Sequence, residues 1–320
     1  MQKLLIGLLG AFIAAARLVA ATNPAPTAAS QAIDPVEKEF KRLMAADDDA
    51  QAEVDQWILD NEAAAARGAA LSKADLQHRI MKRFAPIRQA YEEFLRRHPD
   101  YAPGYVAYGS FLHDLHDSDG ARAQWEKALA LNPKDPAAYN NLANLYSHSG
   151  EIKKAFEYYA KASELNPREP IYYQNLGDAV FVFRKDAREH YGLSEQQVFN
   201  KALDLYRQAL KLDPTNFPLA SEVAQTYYGI KPLRLEEALT AWTNALALAH
   251  DEIEREGVYV HFARLKYLGD RFAEARAHLN AVTNEMYAVL KGRLVRNLDK
   301  AEHEAQGTNA APAAEHSKPK

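Results

Sequence analysis

The densest set of side chains able to do chemistry is His113-Asp114-Leu115-His116-Asp117, with His148 in the turn of the following repeat. Imidazole and carboxylate groups are metal donors, and two histidines three apart share one helix face. The same residues also stand where a helix ends, and polar side chains gather at such turns without any ligand. The solvated turn is the reading adopted. Asp47-Asp48-Asp49 is a carboxylate run without the glycine and alternating ligands of a calcium loop, and reads as a solvated helix boundary. Glu236-Glu237 and Glu252, Glu254 and Glu256 read as charges on helix faces. The sequence has no H-E-x-x-H, G-x-S-x-G, G-x-G-x-x-G or G-x4-G-K-[ST]. It has no cysteine, which excludes disulfides, thiolate metal sites and cysteine nucleophiles. No acid–base pair stands out. The expected sets of catalytic, cofactor-binding and metal residues are therefore empty, and no enzyme activity is expected.

Composition bounds what must position any site. The chain has 320 residues, 48% of them hydrophobic and 26% charged. A sizeable core is possible and wholesale disorder is excluded. Lys+Arg 39 against Asp+Glu 43 gives −4, so no global basic field attracts nucleic acid or anionic lipid. The low glycine count, 14, disfavours loop-rich β folds.

Residues 1–21 read as an export signal: Lys3, an apolar run from Leu4 to Ala16, then Val19-Ala20-Ala21. The alternative is an uncleaved anchor. Thirteen helical residues span only about 20 Å against a hydrocarbon core of about 30 Å, and Arg17 ends the run. Loss of Lys3 and Arg17 leaves 37 cations against 43 anions, or −6. No other apolar run approaches eighteen residues, so no membrane span is expected after cleavage. Residues 22–33 read as a flexible leader and 304–320 as a polar tail, with His303 and His316 solvated. The expected location is periplasmic or secreted.

Between these ends the dominant signal is a repeat. LNP ends at Pro133, LNP again at Pro167, and LDP at Pro214; the first two prolines are 34 residues apart. Inside that unit stand Tyr139, Leu142, Ala143, Tyr146, Ala155, Tyr159, Ala162 and Pro167. The preceding unit carries Tyr105, Tyr108, Gly109, Leu112, Ala121, Trp125, Ala128 and Pro133. The following one has Tyr173, Leu176, Gly177, Val180, Ala202, Tyr206, Ala209 and Pro214. Two more carry Ala224, Tyr227, Ala238, Trp242 and Ala245, then Phe262, Ala263, Ala275 and Leu279. This pattern resembles the tetratricopeptide repeat (TPR). The resemblance implies an all-α, right-handed α-α superhelix of stacked helix hairpins with a concave groove.

The expected units are 102–135, 136–169, 170–216, 217–255 and 256–283. Small residues at the eighth and twentieth positions let paired backbones approach, aromatics fill the gaps between hairpins, and proline closes each unit. The third unit carries 13 extra residues between its helices. Gly192-Leu193-Ser194 reads as a turn and Ser194 with Gln197 as a capping box, giving two lengthened, projecting helices. Residues 34–101 read as N-terminal helices and a degenerate capping repeat. Val36, Phe40, Leu43 and Met44 mark one helix, and Val54, Trp57 and Ile58 another. Ser72 caps a third, and Pro86 sits in the first turn of a fourth. Residues 284–303 read as a capping helix, with Met286, Leu290, Leu294 and Leu298 inward and Lys291, Arg293, Arg296 and Lys300 outward.

The resemblance also implies which positions line the groove. They hold Asn140, Asn141 and Asn144 in the second unit; Gln174, Asn175 and Asp178 in the third; Glu222, Gln225 and Tyr228 in the fourth; and Arg264 in the fifth. The surface is amide-rich, and carboxamides both donate to and accept from a peptide backbone. One TPR subfamily clamps a C-terminal carboxylate with Lys, Asn, Asn, Lys and Arg. Asn144 and Asn175 match its two Asn, but Asn140, Pro218 and Glu222 stand at cationic places, so that ligand is not expected. The reading is an exported scaffold in bacterial envelope assembly or tethering, binding a protein or extended peptide segment and no nucleic acid. Two alternatives are docking through the lengthened hairpin 181–200, where Phe181, Phe183, Arg184, Lys185, Arg188 and Tyr191 cluster, and an accessory subunit of an envelope enzyme such as a glycosyltransferase. Only about 37 residues follow the repeats, too few for a catalytic domain.

Overall fold

The computed structural model describes residues 34–309, with side chains to 304. The export signal, the leader and the last part of the expected tail lie outside the described residues. Among the described residues every regular element is helical. Packing divides the described residues into two units, one holding 34–179 with 185–190, the other 180–184 with 191–309.

The N-terminal unit pairs α1 (Pro35–Ala65) with α2 (Lys73–Arg97), α3 (Ala102–Asp114) with α4 (Ser118–Leu131), and α5 (Pro136–Ser149) with α6 (Ile152–Leu165). Most of α7 (Pro170–Val182) and of the short α8 (Arg184–Tyr191) also belong to it. The C-terminal unit contains α9 (Glu195–Leu212), the pair α10 (Phe217–Thr226) and α11 (Leu235–Leu248), and the pair α12 (Glu252–Leu268) and α13 (Phe272–Asn280). Helix α14 (Ala288–Asn309) packs on α12 and α13.

Side-chain size explains the pairing. Ala121, Ala155, Ala202, Ala238 and Ala275, at the twentieth position of the five repeats, are all 0% exposed. At the eighth position, a Cβ added to Gly109 would fall 2.4 Å from Trp125 Nε1, so only glycine fits there. The indole N–H of Trp125 donates to Val106 O at 3.1 Å, which satisfies it inside the core. The asparagine of each LNP triplet folds the link between hairpins: Asn132 Oδ1 accepts from Lys134 N, and Asn166 Oδ1 from Arg168 N. Asp135 and Asn216 then cap the next first helices. The cap at Ser72 and the capping box at Ser194 with Gln197 form as the sequence suggests.

Several expectations are corrected. Helix α1 is one continuous element of 31 residues, not two. Asp47 therefore lies in mid-helix, 5% exposed, where it accepts from Tyr91 Oη at 2.7 Å. Burial raises the Asp47 carboxyl above the usual carboxylate range, opposed by the Tyr91 bond. Pro86 lies inside α2 rather than at its start, because α2 begins at Lys73. The long insertion is not two extended helices. Helix α7 stops at Val182, where Arg184 Nη1 donates to the orphan carbonyl of Phe181 at 2.9 Å. A separate helix follows, buries Ala187, sets His190 against Phe156 with ring centroids 5.4 Å apart, and ends at Gly192 with φ +65°. Glu256 is not a face charge: it accepts from Thr283 N, Thr283 Oγ1 and Asn284 N, fixing the turn before α14. Helix α14 runs to Asn309, beyond 303, and is rotated: Leu294, Val295 and Leu298 face inward while Met286 and Leu290 are exposed.

Candidate protein-binding faces

In the N-terminal unit the first helices of successive hairpins, α3 and α5, lie side by side. Their polar side chains are tied repeat to repeat. Asn141 Nδ2 donates to Ser110 Oγ at 3.3 Å, and Asn175 Nδ2 on α7 donates to Asn140 Oδ1 at 2.9 Å. Within one hairpin, Tyr159 Oη donates to Asn144 Oδ1 at 2.6 Å. Burial, with the nearby Asp178 carboxylate, raises the Tyr159 phenol, so it remains a donor. Each carboxamide has two donors and an acceptor, so these bonds leave Asn144 Nδ2, Asn175 Oδ1 and Asn141 Oδ1 with spare capacity. Asn140 differs. It is 7% exposed and serves as an internal tie, which removes it from the expected binding surface. Gln174, Asp178 and Glu222 also have interactions within the fold.

The C-terminal unit uses other chemistry at the corresponding positions. The Arg264 guanidinium lies over the Tyr228 ring, 4.3 Å from its centroid. Tyr228 Oη contacts His261 Nδ1 at 3.1 Å, and the His261 ring stacks on Trp242 at 3.9 Å with planes 11° apart. Burial, with the adjacent Arg264 cation, pushes the His261 imidazole down to about 3, so it is neutral at pH 7. Arg264 and Gln225 are exposed, and Arg264 has no carboxylate partner among the described residues. The arrangement offers a held cation beside an aromatic face and an amide. The sequence places His261 among the groove-lining residues and Trp242 in the repeat pattern; that the two stack as supports beneath Tyr228 is what it does not show. The available signal was that Tyr228 and His261 stand 33 residues apart, close to one repeat.

The other candidates resolve differently. His116 adopts a left-handed conformation with φ 62°, and Asp117 Oδ1 accepts from Gly120 N to start α4, which is turn chemistry. Among the described residues no group of three or more His, Asp or Glu is placed to hold a metal. The aromatics of 181–200 are drawn into packing. Phe181 lies 6.1 Å from Phe199, Arg184 covers Phe181, and Lys201 sits over Tyr191 at 4.4 Å. Lys185 and Arg188 are exposed.

Comparison with known proteins agrees with this geometry. Residues 125–157, covering the second half of α4, all of α5 and the start of α6, match the family model described as Tetratricopeptide repeat. A TPR repeat-containing protein of Methanocaldococcus jannaschii is 38% identical over 55 residues, 17% of this chain; the match spans about a tenth of the length of that curated relative. The solved structure of PilF from Pseudomonas aeruginosa aligns with a TM-score of 0.50 at 16% identity, over 80% of this chain and 99% of that one. YrrB, described as a TPR protein with an unusual peptide-binding site, aligns at 0.49 and 16% identity, over 65% of this chain and 99% of its own. The fold is the all-α class of tetratricopeptide-type hairpins.

Proposed function

We propose that the chain is an exported protein-interaction scaffold, serving assembly or tethering in a bacterial envelope. In this reading the first-helix faces of its repeats hold an extended segment of a protein partner. The observation that carries it is the amide set Asn141, Asn144 and Asn175: Asn141 and Asn175 are oriented by bonds to the preceding repeat and Asn144 by Tyr159 of its own hairpin, and each retains hydrogen-bonding capacity. A peptide backbone presents both complements, and side chains already held in place lose less entropy on binding. Export rests on the apolar run Leu4–Ala16 and the small residues at 19–21.

The test is quantitative capture from envelope extract with Asn141→Ala, Gln225→Ala and Arg264→Ala combined. None of these positions is fully buried, so folding is retained. At roughly 0.5–1.5 kcal/mol per neutral bond, and more for the charged group, the triple variant should bind at least about tenfold more weakly. If it binds normally while Lys185→Glu with Arg188→Glu abolishes capture, the first-helix faces are not the site. N-terminal sequencing of the envelope form should begin near Thr22; finding Met1 or Gln2 there removes cleavage from the account.

A further inference from the structure

Helix α14 and the turn before it carry a face that the other described residues do not cover. Met286 is 66% exposed, Val289 73% and Leu290 45%, and Ile253 beside them is 40% exposed. The bond from Tyr287 Oη to Ile253 O, 2.8 Å, joins the turn just before α14 to the start of α12. At helical spacing Val289, Gly292, Arg293, Arg296 and Lys300 share one outward stripe of α14, opposite the inward Leu294 and Leu298, and Met286 stands in the 3-10 turn Glu285–Tyr287 that leads into it.

Charge along that stripe is segregated. The start is acidic: Glu285 has no ion pair among the described residues, and burial and the negative charges of Glu256, Asp251 and Glu254 raise the Tyr287 phenol. The far end is basic: Arg293 and Arg296 have no ion pair among the described residues, and Lys300 reaches only Glu304 at 3.8 Å. The middle is apolar. Gly292 is a second, independent feature. Glycine inside a helix costs roughly 0.5–1 kcal/mol relative to alanine, yet a Cβ there would meet only the tip of Arg296, 3.5 Å away. Nothing among the described residues requires a glycine at that place.

We infer that α14 is a self-association surface, and that its occupant is α14 of a second copy of this chain, packed antiparallel about a two-fold axis. An isologous interface needs a patch complementary to itself. A surface acidic at one end, apolar in the middle and basic at the other meets that condition. An axis between Leu290 and Lys291 sets Arg296 opposite Glu285 of the second copy, and Val289 opposite Gly292. The missing side chain then gives the valine a hole, and the helices approach closely. A lipid surface suits the stripe less well, because Glu285, Asp251 and Glu254 would face anionic headgroups.

The test is molar mass of the full chain by sedimentation, with circular dichroism to confirm folding. The chain should dimerise weakly, at roughly 10–100 µM, and less well at high salt. Val289→Asp should abolish the dimer. Arg296→Glu should raise the dissociation constant about tenfold, and adding Glu285→Arg to it should restore association to within about threefold. A chain monomeric to about 200 µM would overturn the inference. So would a dimer indifferent to both substitutions, which would place association elsewhere, for instance in the apolar run 4–16. A monomer that sediments with anionic vesicles, and loses this with Val289→Asp, would assign the face to lipid and equally overturn it.

Discussion

The first-helix face of the N-terminal unit is held by neutral amides, and that of the C-terminal unit by a stack of aromatic rings, an imidazole and a guanidinium. Both occupy the same register of the same kind of hairpin. The difference is in what each solution costs. The ties there join carboxamides to one another, to Ser110 and to Tyr159, and none of these bonds involves a net charge. In the C-terminal unit Arg264 is positioned by Tyr228, Tyr228 by His261, and His261 by Trp242. That chain places a fixed cation at the surface, and it makes the unit depend on a histidine kept neutral.

The largest effect that separates the two is Trp242→Ala. Trp242 is almost wholly buried, and truncations of this kind cost about 3–5 kcal/mol. Region-resolved hydrogen exchange should show α10 to α13 losing protection before α3 to α6. Equal loss throughout would mean that the units do not respond separately. The counterpart is Ala155→Leu, which forces extra methylenes into the closest approach of α5 and α6 and should cost about 1–3 kcal/mol. An unchanged denaturation midpoint would place Ala155 outside the helix contact.

Acid should act on the C-terminal unit. His261 has a folded value near 3, below its unfolded value of about 6.5. The unfolded chain therefore binds more protons between those values, so the stabilisation is complete above about pH 6.5 and is lost as pH falls. His278, also pushed down by burial, adds the same sign. In the N-terminal unit His113 acts likewise, but Asp47, raised by burial, acts oppositely, since protonation relieves its cost. Between pH 7 and 5.5 the C-terminal unit should lose on the order of 1–2 kcal/mol more than the other. His261→Gln should abolish most of that difference; if the gap persists, His261 is not its source.

How much of this could be read from residues alone follows from which forces set each feature. The hairpins, their register and the alanine contacts were legible because the constraint recurs: Ala121, Ala155, Ala202, Ala238 and Ala275 repeat one steric requirement. Asp47 was misread because three consecutive aspartates suggest a helix end, whereas Tyr91, 44 positions away, supplies the bond that lets one of them be buried. Pro86 was misread because proline favours a first turn, and tertiary packing of α2 overrode that preference. The amide ties join residues 31 and 35 apart, near one repeat, but nothing in the spacing tells which side chain of the next repeat is the partner. The outward face of α14 escaped because its apolar residues fit an inward stripe equally well until Leu294 and Leu298 fix the rotation.

A smaller effect tests the amide ties themselves. Asn140→Ala leaves Asn175 Nδ2 without its acceptor and should cost about 1 kcal/mol, with Asn140→Asp milder if the carboxylate accepts the same bond. Equal stability of wild type and Asn140→Ala would reduce the tie to an incidental contact.

The central claim is that partners are held on the first-helix faces, and site-specific photocrosslinking tests it most directly. A benzophenone side chain would replace Asn141, Gln225 or Arg264 on those faces, and Glu126, Glu157 or Asp204 on exposed second-helix surfaces. The account predicts adducts to a partner protein from the first three positions and none from the last three. Adducts confined to Glu126, Glu157 or Asp204 would contradict it.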